Sequence, residues 1–309
     1  MRRVILFILG IIFMVAAIRL GIFVWQNYRG ALPTIKPPSK DIEKLIEKPI
    51  QNRGKPAQNS TDMPIVIPPG FSLSIFANNL VNPRAMALDP SSNLIVSIPS
   101  QGRVVILPDL NRDGLVDEVL TLIDGLDRPH GLAFRCRERC QLYIAETDKV
   151  VAYDYDKDNL KVSNAQKIID LPGGGRHFTR TLLYDSVKDK LFITVGSSCD
   201  TCVEEDWRRT KVLVADPDGK NLKVFGSGLR NAVFITSHPT TREIWVTEMG
   251  RDFLGDELPP DEINIIREGK DYGWPYCYGK NIADRKFDAK HSCEANEPSY
   301  IDIPAHSAP

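Results

Sequence analysis

GLRNAVFITSHPTTREIWVTEMGRDFLGDELPPDEINIIREGKDYGWPYCYG, residues 228–279, contains the unit from which most of this chain is built. It opens on a polar loop, Gly228-Leu-Arg-Asn231, and enters a strand-like apolar run through Ile235. After a turn comes a second apolar run, residues 243–247, and then an acidic loop carrying Asp252, Asp256, Glu257, Asp261 and Glu262. A Tyr272-Gly-Trp-Pro-Tyr276 cluster closes the stretch. Short apolar runs bounded by Gly, Pro, Asn and Asp are strand and turn signals, and no long amphipathic helix interrupts them.

The same unit recurs upstream. Its copies begin with Asn82-Pro-Arg-Ala-Met-Ala-Leu88, Arg128-Pro-His-Gly-Leu-Ala-Phe134 and His177-Phe-Thr-Arg-Thr-Leu-Leu-Tyr184, and Arg230-Asn-Ala-Val-Phe-Ile235 is the fourth. Second strands are predicted at residues 94–97, 142–145, 191–195 and 243–247. With Met86, Leu132, Leu182 and Ile235 aligned, the steps are about 46, 50 and 53 residues, near the spacing of propeller blades. An antiparallel β-sandwich shares short strands and frequent turns and stands as the alternative. The repeat favours an all-β propeller with about four blades in this chain.

The chain has 309 residues, with 39 Lys and Arg against 40 Asp and Glu. That length can bury a sizeable core, and the near-neutral balance gives no electrostatic case for nucleic acid. Behind Arg2-Arg3, residues 4–25 form an almost unbroken apolar run, close to the ~20 residues that span a bilayer. A transmembrane signal anchor over residues 1–29 is therefore expected, with the N-terminus cytoplasmic and the rest of the chain on the periplasmic or extracellular side. Arg19 interrupts the run, so a cleaved signal peptide is the alternative. Residues 30–64, rich in Pro, Lys, Asn and Gln, read as a flexible linker, and residues 65–309 as the propeller.

Six cysteines fall into three local groups, Cys136 with Cys140, Cys199 with Cys202, and Cys277 with Cys293. An even count in an exported chain reads as disulfides, with connectivity left open by sequence. Cys199-Asp-Thr-Cys202 could instead form a redox or zinc site. No second C-x-x-C partners it and no βαβ pattern surrounds it, which favours a loop staple.

Loops entering the innermost strands of a propeller converge on its channel. That topology selects Arg84, His130, His177, Arg180, Arg230 and Asn231. An imidazole suits proton abstraction because its unperturbed pKa lies near working pH; the alternative for His177 is a hydrogen-bonded residue beside a Gly-rich turn. Arginine offers a planar fork to carboxylates; the alternative for Arg230 is pairing with a nearby acid. Separately, Asp109, Asn111, Asp113 and Asp117, with Gly114 between them, follow the spacing of a calcium loop. Its twelfth position is Leu120 rather than a bidentate glutamate, and a solvated turn is the alternative.

Gly173-Gly-Gly-Arg-His-Phe-Thr-Arg180, the Arg230-Asn231 pair, Thr247-Glu-Met-Gly-Arg-Asp252 and Tyr272-Gly-Trp-Pro275 together resemble the glucose/sorbosone dehydrogenase family. Those are soluble quinoprotein sugar dehydrogenases that use pyrroloquinoline quinone (PQQ) and calcium on a six-bladed β-propeller. The resemblance covers about residues 64–309. It implies that His177 is the general base on the sugar hydroxyl, that Arg230 and Asn231 contact PQQ with Arg180 a further candidate, and that the carbonyls of Gly250 and Arg251 hold calcium. It further implies an aldose or sorbosone-type substrate, hydride transfer from the sugar C1 to PQQ, and a membrane quinone or cytochrome as electron acceptor. Arg251 stands where some relatives carry proline. Family members place further basic cofactor contacts on blades beyond the equivalent of Pro309, so the resemblance implies a truncated propeller. A non-catalytic propeller that binds carbohydrate or protein is the second reading, and a calcium-dependent lactonase-type hydrolase the third.

Overall fold

The computed structural model describes residues 10, 13–22, 58–61 and 63–307. Its strands follow the repeat. The first sheet hydrogen-bonds Met86–Leu88, Leu94–Ile98, Arg103–Leu107 and Leu120–Ile123 in chain order. The second does the same with Leu132–Cys136, Cys140–Ala145, Lys149–Asp156 and Lys161–Asp170. The third joins Leu182–Asp185, Lys190–Val195, Lys211–Ala215 and Lys223–Ser227, and adds the short Lys270–Asp271 in parallel at its edge. The fourth pairs Ala232–Ser237, Ile244–Glu248 and Asp261–Ile266, and takes its outer strand, Ile301–Ile303, from near the C-terminus.

Apart from the parallel Lys270–Asp271, neighbouring strands within each blade are antiparallel, and the first strands of successive sheets contact one another. Four blades therefore gather their innermost strands about one axis, as a propeller does, and the sandwich alternative falls away. The packing explains the unbroken apolar runs. A strand alternates its side chains between two faces, and a blade has a neighbour on each face, so both parities are apolar. In the third blade Leu191 and Ile193 pack toward the second, against Tyr143 and Val150. Phe192 between them packs toward the fourth, against Ile235, Ile244 and Val246. Leu132, Leu182 and Ile235 each turn toward the preceding blade, and the longer last step of the repeat includes a register shift between Ala232 and Phe234.

The first blade has no such neighbour on its other side among the described residues. Its outer face packs instead on Phe76, Ala77 and Leu80. In its innermost strand Met86 and Leu88 are 69% and 62% exposed, whereas Leu132 and Leu182 in the next two blades are 7% and 5% exposed.

Disulfides join the three local cysteine pairs, Cys136–Cys140, Cys199–Cys202 and Cys277–Cys293. Cys199 and Cys202 are therefore joined as a staple of their loop, and while bonded their sulfurs are not thiolate ligands for zinc. Residues 13–22 are helical. The expected anchor and linker otherwise fall almost wholly outside the described residues, and among those described no helix is long and apolar enough to cross a membrane.

Candidate active site at the propeller mouth

The loops that precede the innermost strands of the third and fourth blades meet the loops that follow their second strands. One contact sets how close they come. A Cβ at Gly196, where the second strand of the third blade ends, would lie 2.6 Å from Asn231 Oδ1 and 2.8 Å from His177 Cβ. Only a residue without a side chain lets these two approach across that backbone.

His177 Nδ1 lies 2.8 Å from Ser197 Oγ and 3.1 Å from Ser197 O. Ser197 Oγ in turn donates to Cys199 O at 2.7 Å, so its hydrogen is spent. Nδ1 therefore carries the imidazole proton and donates to Ser197, which leaves Nε2 as a bare acceptor with no protein partner among the described residues. Burial, and then the Arg230 charge, hold the His177 pKa down to about 4, against an opposing hydrogen bond to the Ser197 backbone. So held, His177 is neutral throughout the physiological range, and a weaker base than a free imidazole.

Asn231 is buried. Its backbone N–H donates to Glu248, and Oδ1 accepts from Thr179 Oγ1 at 3.1 Å. Its amide nitrogen has no protein acceptor among the described residues. Glu248 is itself buried, which pushes its carboxyl well above the usual range, with Glu262 adding to the effect.

Arg230 is almost fully buried, and the protein occupies its donors. Nε donates to Asp200 O at 2.9 Å and Nη2 to Asp200 Oδ1 at 2.6 Å. Nη1 donates to Gly250 O at 2.8 Å and to Met249 O at 3.3 Å. The bland alternative, pairing with an acid, thus describes Arg230 correctly as far as the protein alone goes, while its charge still lies beneath the His177–Asn231 pair. Asp200 also accepts from Asp252 N at 3.1 Å and lies 3.7 Å from Arg176. Arg176 reaches Asp252 at 2.7 Å, and Arg251 donates to Asp284 at 2.8 Å. Arg176 remains nearly half exposed, so it is the cation presented to solvent beside His177.

The Arg180 guanidinium is fully buried and donates to the carbonyls of Pro172, His177 and Thr179 at 2.8, 3.0 and 2.8 Å. Around Gly250 and Arg251, the Gly250 carbonyl accepts from the Arg230 guanidinium, the Gly250 N–H donates to Asp261 Oδ1 at 2.8 Å, and the carboxylates of Asp200, Asp252 and Asp284 are each paired with arginine. In the loop of the second calcium candidate, the side-chain oxygens accept from backbone N–H groups of the loop itself. Asp109 accepts from Asp113 N and Gly114 N, Asp113 from Leu115 N, Asn111 from Asp113 N, and Asp117 from Leu110 N at 2.6 Å. These oxygens cap their own loop.

Sequence reasoning passed over Ser197, Asp200, Arg176 and Arg209. Two were signalled: Arg176 directly precedes His177, and Asp200 lies inside the Cys199–Cys202 ring, where a short disulfide loop fixes a half-buried acid in place.

Fold and site together define a β-propeller whose mouth presents a neutral histidine, a free amide and an arginine above a buried ion pair. A family profile described as TrAA12-like matches residues 65–301, and the chain belongs to that family. It is 29% identical over 257 residues to an uncharacterised protein of Borreliella burgdorferi, covering 79% of this chain and 65% of the relative. It is 26% identical over 241 residues to a pyrroloquinoline quinone-dependent sugar dehydrogenase of Hypocrea jecorina, covering 68% of this chain and 56% of the relative. This chain thus spans less than two thirds of either relative. Among solved structures, the calcium structure of a Trichoderma reesei carbohydrate-active enzyme of family AA12 superposes with a TM-score of 0.67 at 21% identity, covering 76% of this chain and 70% of that one. The holo PQQ domain of pyranose dehydrogenase from Coprinopsis cinerea gives 0.60 at 23% identity, covering 68% and 58%. At such identities these likenesses establish the fold.

Proposed function

We propose that this chain forms the oxidoreductase site of a PQQ-dependent sugar dehydrogenase acting on an aldose or sorbosone-type sugar. Family membership supports the class, and one observation carries the site: His177 is locked by Ser197 with Nε2 bare at the mouth, beside the free amide of Asn231 and the exposed charge of Arg176. When bound, PQQ supplies the two-electron acceptor that the side chains lack. The chain's own part is positioning and proton transfer. Arg176, with the Arg230 charge beneath, favours the carboxylates of an anionic quinone, and Asn231 donates its amide. His177 Nε2 takes the proton of the sugar hydroxyl, and Ser197 accepts the Nδ1–H bond that stabilises the resulting imidazolium. Residues 1–29 act in this reading as the membrane anchor and residues 30–64 as the tether, which suits delivery of electrons to a membrane quinone or cytochrome. The propeller belongs to the six-bladed type, of which this chain supplies four blades.

Titration of PQQ into the protein, followed by absorbance, tests the reading, together with reduction of an artificial dye by an aldose. Micromolar binding and a His177→Gln loss of ~10²–10⁴-fold in rate are expected. Calcium, implied by the family resemblance, enters as a second arm. Chelation leaves PQQ affinity unchanged if Arg230 alone serves the Gly250 carbonyl, and abolishes it if an ion shares that carbonyl. Absence of PQQ binding with calcium present replaces the reading by that of a non-catalytic binding propeller.

A further inference from the structure

The segment 172–181 that carries His177 belongs to no strand over most of its length. Three glycines precede Arg176, and such a run gains no rigidity from its own backbone. Two buried arginines hold it. Arg209, from the loop before the third strand of the third blade, donates through Nη2 to Gly173 O at 2.7 Å, Gly174 O at 3.1 Å and Pro172 O at 3.2 Å, and through Nη1 to Gly196 O at 3.3 Å. One planar guanidinium therefore bridges the Gly-rich loop and the loop whose next residue, Ser197, orients the imidazole. Arg180 closes the other end on Pro172 O, Thr179 O and the carbonyl of His177 itself. The packing leaves no slack, since a Cβ at Gly175 would fall 2.8 Å from Ser198 Cα and 3.1 Å from Arg209 Nη1.

The charge arrangement points away from simple stabilisation by ion pairing. Among the described residues, Arg180 is fully buried, has no carboxylate within ion-pair distance, and leaves Nε without a partner. Among the described residues Arg209 has a single carboxylate near, Glu204 at 3.9 Å, whose other oxygen accepts from Ser198 N at 2.6 Å. A buried cation without a paired anion is costly, and the carbonyls of one functional loop are what these two guanidiniums receive in exchange.

We infer that Arg209 and Arg180 are positioning residues for His177, fixing the loop that carries it against the Ser197 loop that sets its tautomer. The inference rests on the proposed role of His177 as the base. Lysine at either position keeps the charge but cannot bridge, because an ammonium is a point donor rather than a fork.

The test is an NMR titration of the histidines in cofactor-free protein, with His177 assigned through His177→Gln. The charged groups facing His177 are Arg230, Arg176 and Asp200, and none is altered. In the parent protein His177 titrates near pH 4. In Arg209→Lys its midpoint should rise by a unit or more toward the free-imidazole value. Where the parent protein oxidises sugar, the same variant should lose tenfold or more in kcat with the sugar KM within twofold. Arg180→Lys gives the second arm should Arg209→Lys not fold. An unmoved His177 midpoint in a folded variant overturns the inference, and so does unfolding of both variants, which assigns the arginines to stability alone. A shifted midpoint in a protein that binds no PQQ would uphold the positioning and sink the dehydrogenase reading.

Discussion

Acidification should expose the neutral histidine buried at the second blade. His130 is fully buried; its backbone is fixed by Ala145 O and Ser97 Oγ, its ring stands 5.6 Å from Phe234, and Nε2 has no partner. Burial first, then the Arg84 charge, bring its pKa from 6.5 to about 4 despite a hydrogen bond to the Arg180 backbone. Above pH 6.5 neither state binds the proton. Between 6.5 and 4 the unfolded chain takes it up and the folded chain does not, so stability falls with pH and the loss levels off below the folded value. A shift of that size corresponds to about 3.4 kcal/mol in full and about 2.6 kcal/mol by pH 4.5. Glu248 and Glu262, with carboxyls raised by burial, act in the opposite sense, since the folded chain protonates them first. A difference measurement removes them. His130→Gln keeps a donor for Thr181 Oγ1, which lies 3.3 Å from Nδ1, and does not titrate. Urea unfolding followed by tryptophan fluorescence at pH 7 and pH 4.5 should show the parent losing about 2–3 kcal/mol more than the variant. Parallel losses, within about 0.5 kcal/mol, would refute the assignment of His130 as a buried neutral group.

Two further outcomes follow from the site. Gly196→Ala drives a methyl into Asn231 Oδ1 and His177 Cβ, so it should destabilise by about 1–3 kcal/mol and lower PQQ affinity, read by thermal melts and the absorbance titration. Mass analysis of protein from its native compartment without reductant should find three disulfides and no free thiol; free Cys199 and Cys202 would contradict the loop that holds Asp200.

Much of the fold was legible because its causes are local. Runs such as Leu94–Ile98 and Lys190–Val195 are apolar on both parities, Gly, Pro and Asn punctuate them, and the period near 50 residues counts blades. The site was legible only in part. His177, Arg230 and Asn231 lie where the repeat loops point inward, so the pattern found them and the structure brings His177 and Asn231 together across Gly196 with the Arg230 charge beneath. Arg180 occupies an equivalent repeat position, yet its guanidinium turns back onto its own loop, a choice made by the carbonyls of Pro172 and Thr179 and invisible in residue type.

By itself, then, the sequence determined the strands, the blade period, the cysteine pairs as local groups and the residues near the mouth, since each depends on neighbours a few positions away. Only the tertiary structure decided which atoms are free to act. Whether a guanidinium meets solvent, as Arg176 does, or is spent on Asp200 and Gly250, as Arg230 is, depends on groups 20 to 30 residues distant. The same long-range contacts set the tautomer of His177 and depress its pKa through burial and the Arg230 charge. Desolvation and Coulomb interaction act through space, and no local pattern along the chain records them.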